Sequence, residues 1–347
     1  ITNVVLAGFE AGKGPSLCTQ PIENINLLFD RGFLAPINYE AVSLKNRQEL
    51  EDVYVWESVK EVERDGVFYG LPLEYTNWAL YINTRMLNAS FPKTLEELYL
   101  LCSETVVHDN DVITSRLFDF RYPYYLTFLV PLVNQLGGGI SNDEGRVTLY
   151  NEEAWLKVFD FFASWGSKGD NLGSPTYKNA RYMFNNEEIA MCISGLYQIV
   201  RLKEENPTFY NSGDWLVLPF PRFKEAVKDE ALGSYLHYFV VNSEQSKEKM
   251  DACWALIDFF TNHDKEYLEE AGLLMPKKEM LISSQLKAFP YYDVFIAELE
   301  KANLIEHGLY ANKIATLLSK AVNELMIEGK SSEKVFESFK TSVESLH

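Results

Sequence analysis

The sequence predicts an α/β chain built as two lobes. Strand-like and helix-like segments alternate along it without internal repeats or low-complexity stretches. Its 347 residues exceed what one small core organises and suit two domains. Hydrophobic residues make up 47%, enough for a packed interior in each.

In order, the apolar run Val4–Ala7 reads as a buried strand running into "GFEAGKG". Residues Ile22–Arg31 read as a helix that Gly32 can cap. "DGVFYGLPLEY" is a turn followed by a short strand, and alternation at Trp78, Leu80 and Ile82 extends the β character. "FPKTLEELYLLC" starts a helix, with Thr94 as N-cap and Glu97 closing a capping box. Trp155–Trp165 is amphipathic, with Trp155, Val158, Phe159 and Phe162 on one face. Ile189–Ile193 and Gly233–Asn242 read as strands. Lys247–Phe260 is a helix that turns Cys253, Leu256, Ile257 and Phe260 inward. Phe289–Leu346 is helical, broken at Gly308 and Gly329.

Net charge is −18, from 32 basic and 50 acidic residues. Such a field repels nucleic acid and anionic membranes, and favours a neutral or cationic ligand. Cys18, Cys102, Cys192 and Cys253 form no C-x-x-C pair and have no metal-ligand spacing, so neither a metal site nor a cofactor is expected. Cys102, Cys192 and Cys253 sit in apolar surroundings as buried thiols, and one disulfide stays open. No run of 18 apolar residues and no signal-peptide pattern occurs. "GFEAGKG" fails as a phosphate loop: its glycines are one residue too close, Gly14 stands where a hydroxyl is needed, and Glu10 would face phosphate oxygens. "NDEGR", Asn142 to Arg146, lacks the acid spacing of a calcium loop and reads as a tight turn. The Tyr124-Tyr125 and Tyr291-Tyr292 pairs suit ferric iron in type, but no clear His and carboxylate set flanks them.

Five stretches carry a resemblance: "LLFDRGFLAPI", "DGVFYGLPLEYTNWALYINTRML" through "FPKTLEEL", "FDFRYPYYLTFLVPLVNQLGGGI" with "DEGRVTLYNEEA", "MFNNEEIAMCISGLYQI", and "AVNELMIEGKSSEKVFESFKTSV". In this order they resemble the extracellular solute-binding proteins of ABC importers, in the branch with the maltose- and oligosaccharide-binding proteins. The resemblance implies a two-lobe periplasmic-binding-protein (type II) fold with a hinge and an interlobe ligand cleft. Residues 1–74 plus 238–284 would form the N-terminal lobe, and 75–237 plus 285–347 the C-terminal lobe. It implies a monomeric carrier, periplasmic or lipid-anchored, that captures a carbohydrate or similar polyol and passes it to an ABC permease without chemistry. A polyamine, a glycerophosphodiester or a metal chelate on the same fold remains an alternative, as does a carbohydrate-active enzyme. No Gly-x-Ser-x-Gly or His-Glu-x-x-His occurs to support an enzyme. Relatives also carry a β-α-β unit ahead of the strand that Val4–Ala7 resembles; the sequence has none before it. The late helix that presents aromatics to sugars carries Ala315 and Thr316, with Tyr310 or His307 just before as substitutes.

A sugar site needs flat aromatics for stacking and carboxylates or amides for hydrogen bonds. The positional candidates are Glu10 at the strand-to-loop junction and Glu74, Asn77 and Trp78 at the first lobe crossing. Trp78 reads equally well as core. Tyr122, Tyr124 and Tyr125 form a dense group whose hydroxyls suit a binding surface better than a core. Tyr197 follows "ISG" at a stacking position of the family. Ser234, Tyr235 and His237 lie on the returning crossing strand, where His237 alone reads more readily as structural.

Overall fold

The computed structural model describes residues 2–87, 90–120, 124–143, 146–175, 180–304 and 308–346. The elements used below are, in chain order, α1 (Thr2–Glu10), β1 (Leu17–Pro21), α2 (Ile22–Asp30), β2 (Leu71–Thr76), β3 (Ala79–Asn83), α3 (Leu95–Thr105), α4 (Tyr125–Gln135), α5 (Glu152–Trp165), β4 (Met191–Ser194), α6 (Tyr197–Glu205), β5 (Trp215–Leu218), β6 (Tyr235–Val241), α7 (Lys247–Thr261), α8 (Ala311–Met326) and α9 (Ser332–Glu344). They form two compact units. The first is Ile1–Thr76 with Tyr235–Tyr292, and the second is Asn77–Ser234 with Asp293–His347.

The first unit is built on an antiparallel sheet in the order β1-β6-β2. Its central strand pairs Pro21 with His237 on one side and Glu74 with His237 on the other. A register shift follows between His237 and Tyr238. The sheet interior is closed by Leu71, Tyr238 and Val240, with Ile25 and Leu28 from α2 and Trp254 and Ile257 from α7. Phe239 stacks on Phe260 of α7 at 5.6 Å. This tertiary contact fixes the face that α7 buries. Leu256, expected inside, is exposed, because Trp254 and Ile257 fill the inward positions.

The second unit holds the antiparallel order β4-β3-β5. Every residue of β3 is buried, as expected of a central strand covered on both faces. Thr94 and Glu97 form the anticipated capping box at the start of α3. The α5 stripe packs Trp155 and Phe159 against Phe336 and Phe339 of α9, with ring centroids 5.4–6.5 Å apart. Strands Gly139–Asp143 and Arg146–Tyr150 pair as a hairpin; the turn expected within "NDEGR" falls at 144–145, outside the described residues.

Two expectations are corrected. Val4–Ala7 is helical, inside α1. The helix buries Phe9 against Phe33 at 5.4 Å, and just beyond its end Gly12, with a φ of +63°, turns the chain. The edge strand of the first sheet comes one segment later, as β1. The boundary between units also moves. Tyr75, Thr76, Tyr235–His237 and residues 285–292 group with the first unit. For the strands the cause is the ladder: β6 pairs with β2 from its first residue, Tyr235 opposite Thr76, so neither strand divides before its end.

Candidate functional site

In the first unit, four titratable side chains gather where β1 ends and α2 begins. His237 and Glu74 are cross-strand partners, so both project from one face of the sheet. His237 Nδ1 bonds Glu74 Oε1. The second oxygen, Oε2, accepts from Thr76 Oγ1 at 3.0 Å. Both Glu74 oxygens are therefore engaged, and its side chain is only 12% exposed. Tyr235, two residues before His237, stands edge-on to the imidazole with ring centroids 4.9 Å apart.

Glu23, in the first turn of α2, completes the group. Its carboxyl is hydrogen-bonded by the Tyr235 hydroxyl and by its own backbone N–H, and His237 acts on it electrostatically. Burial pushes its pKa up, and those three contacts offset only part of the rise. Its Oε2 is buried with no hydrogen-bond partner. In the sequence it falls within Ile22–Arg31, which reads simply as a helix. The available signal was an acid in the first turn of a helix that directly follows a strand end, "TQPIEN".

The second unit contributes aromatic candidates. Trp78 is buried, with Tyr124 and Phe128 around it at 5.7 and 5.2 Å; Tyr124 itself is half-buried at the start of α4. Tyr125 is buried and its hydroxyl donates to the Pro175 carbonyl at 3.0 Å, so it belongs to the core. Asn77 is also buried, donating to the Phe295 carbonyl at 2.7 Å. Tyr197, the first residue of α6, is half-buried, and the guanidinium groups of Arg181 and Arg201 stand 5.9 and 5.8 Å from its ring. Ser234 is buried, its hydroxyl without a hydrogen-bond partner. Tyr122 and His307 lie outside the described residues. Tyr310 is half-buried with the Lys313 ammonium 5.6 Å from its ring.

Glu10 is placed differently from its expected role. It is the last residue of α1, on the surface, and pairs with Arg31 at 2.9 Å. With the strand gone, the junction that recommended it is gone too.

Another buried acid, Asp119, lies in the second unit. It is bonded by Arg116 Nε and by the Ser174 N–H at 3.2 Å. Burial pushes its pKa up to about 6 against the pull of Arg116. A cavity of about 1030 Å³ in the first unit lies away from the Glu23 group, lined in part by Tyr54, Asp258, Thr261, Asp264 and Lys277. Two pairs lie in its wall, Lys277 with Asp264 at 3.2 Å and Ser43 with Asp258 at 3.0 Å. We therefore place the candidate site at the Glu23 group, where an acceptor is left open. Among the described residues no three His, Cys, Asp or Glu side chains group as a metal site. All four cysteines are free thiols, with Cys18 and Cys253 half-buried.

The family model for bacterial extracellular solute-binding proteins matches residues 1–280, and the chain belongs to that family. A search of curated protein sequences returns no match. Solved structures share the fold over almost the whole chain. Maltose-bound MalE3 of T. maritima superposes with a TM-score of 0.83 at 17% identity, covering 99% of this chain and 88% of that one. An ABC transporter solute-binding protein from Thermotoga lettingae, bound with α-D-tagatose, gives 0.82 at 18% identity, with the same coverage. UgpB from Mycobacterium tuberculosis, in complex with glycerophosphocholine, gives 0.81 at 14% identity, covering 100% and 87%. The two-lobe solute-binding fold anticipated from the sequence is thus the fold of this chain.

Proposed function

We propose that this protein is the solute-binding component of an ABC importer and that its solute is a carbohydrate or similar polyol. It binds that solute without transforming it and delivers it to the membrane subunits. The observation that carries the carbohydrate reading is the Glu74–His237 pair with Tyr235 and Glu23 beside it. Such a group offers a solute hydroxyl an open acceptor, Glu23 Oε2, on an acid held by its other hydrogen bonds. Sugars occupy several relatives of the same fold, among them those with maltose and tagatose.

The test is thermal unfolding against a panel of neutral sugars that includes maltose, maltotriose and tagatose, with glycerophosphocholine as the non-sugar comparison. A ligand present at 100 times its Kd stabilises by about 2.7 kcal/mol, which raises the midpoint by several degrees. A shift with a sugar is expected. A shift with glycerophosphocholine alone would overturn the carbohydrate reading.

A further inference from the structure

We infer that Glu23, with Tyr235, His237 and Glu74, forms a subsite for a protonated amino group on the solute. This rests on the carbohydrate reading and narrows it to an amino sugar. The starting point is the acceptor balance. Glu74 has both oxygens engaged, by His237 and by Thr76. Glu23 has the Tyr235 hydroxyl and its own N–H, yet Oε2 is buried without a partner. A buried acceptor without a donor is costly, and an ionised one more so.

The charge balance points the same way. The titratable groups acting on Glu23 are Tyr235 and His237 of β6, with Glu74 beyond His237 on β2. The basic group acting on Glu23 is His237, and that imidazole is already bonded to Glu74. Two carboxyls thus share one imidazole. With both ionised, the group lacks one positive charge even when His237 is protonated. A hydroxyl supplies Oε2 with a donor but no charge. An ammonium supplies donors and the missing charge together, and the neighbouring Tyr235 ring favours a cation further. An anionic group meets only repulsion from the two acids. The net charge of −18 draws cationic solutes in the same sense.

The experiment is isothermal titration calorimetry at pH 7 with three disaccharides sharing one β-1,4 skeleton: cellobiose, its di-N-acetylamino counterpart chitobiose, and the deacetylated diamine. The diamine is expected to bind about 10-fold tighter than either neutral form, as one charge-assisted contact supplies. Glu23→Gln should bring that ratio close to one, while Glu23→Asp, which keeps the charge, should restore part of it. Far-UV circular dichroism checks that each variant is folded, and the ratio is internal to each variant. A neutral form binding as tightly as the diamine, or a ratio that survives Glu23→Gln, overturns the inference and leaves the carbohydrate reading standing. Absence of binding by all three and by the neutral panel above removes both.

Discussion

Glu23 and Asp119 are both carboxylic acids that burial pushes above their ordinary pKa, one in each unit. They differ in what surrounds them. Asp119 is closed in. Arg116 bonds one oxygen and the Ser174 N–H the other. Gly173 lies so near that a side chain there would put its Cβ 2.6 Å from Asp119 Oδ1. Glu23 is held on one side and open on the other, with Oε2 lacking a partner. A raised pKa by itself therefore marks only burial. Between these two acids the difference is the unfilled acceptor position: Asp119 clamps two loops, and Glu23 keeps one oxygen without a donor.

The largest expected effect follows from that contrast. Asp119→Ala strips a carboxylate from Arg116, whose side chain is only 13% exposed. Breaking such a buried pair costs about 3–5 kcal/mol, read in urea unfolding. Glu23→Ala removes little structural support and should stay within about 1 kcal/mol of the parent. A loss for Glu23→Ala as large as that for Asp119→Ala would make Glu23 a structural acid and erase the distinction.

The second effect is pH-dependent. The native carboxyl of Asp119 titrates at about 6, against an ordinary value of 3.8. Between those values the native state keeps a proton that the unfolded chain has lost, so this contribution to stability falls as pH rises through the window. The difference amounts to about 3 kcal/mol at 1.36 kcal/mol per pKa unit. Unfolding free energies of the parent and of Asp119→Asn, measured from pH 4 to pH 7, should diverge by an amount of that order. Parallel curves would show that Asp119 titrates normally.

The third effect returns to the first unit. Glu74→Gln keeps the shape of the side chain but replaces a charged partner of His237. Affinity for the sugar that most raises the unfolding midpoint should fall by about 1–3 kcal/mol, or roughly 5- to 150-fold. An unchanged Kd would confine Glu74 to holding His237 and leave Glu23 as the acid of the site.

These residues also show which parts of the molecule were legible in the sequence. The capping box at Thr94 and the Trp155 stripe are local patterns, set by neighbours within a few residues, and they could be read directly. Val4–Ala7 could not, because four apolar residues carry no period that separates strand from helix. The strands that carry Glu74 and His237 were each legible in the sequence. The bond between these two side chains joins residues 163 apart and comes only from the β2–β6 register. Three tyrosines close together suggested a surface, but Tyr125 finds its partner 50 residues away and goes inside. Glu23 was missed because what distinguishes it is the burial of one oxygen, a property of the packed unit and not of "IENINLL".

The smallest expected effect concerns Glu10, which the strand assignment of Val4–Ala7 had recommended for the site. Both partners of the Glu10–Arg31 pair are about half exposed, at 45% and 51%. Exposed pairs contribute about 0–1 kcal/mol. Glu10 also ends α1, where a negative charge opposes the helix dipole, so Glu10→Gln loses an ion pair and relieves an unfavourable terminus at once. The two terms are of similar size and opposite sign. Glu10→Gln should therefore leave both the unfolding midpoint and the Kd for the best sugar nearly unchanged, the Kd within about twofold. A tenfold weaker Kd with an unchanged midpoint would place Glu10 beside Glu23 on the binding surface. It would also show that the acid's position mattered more than the secondary structure that led to it.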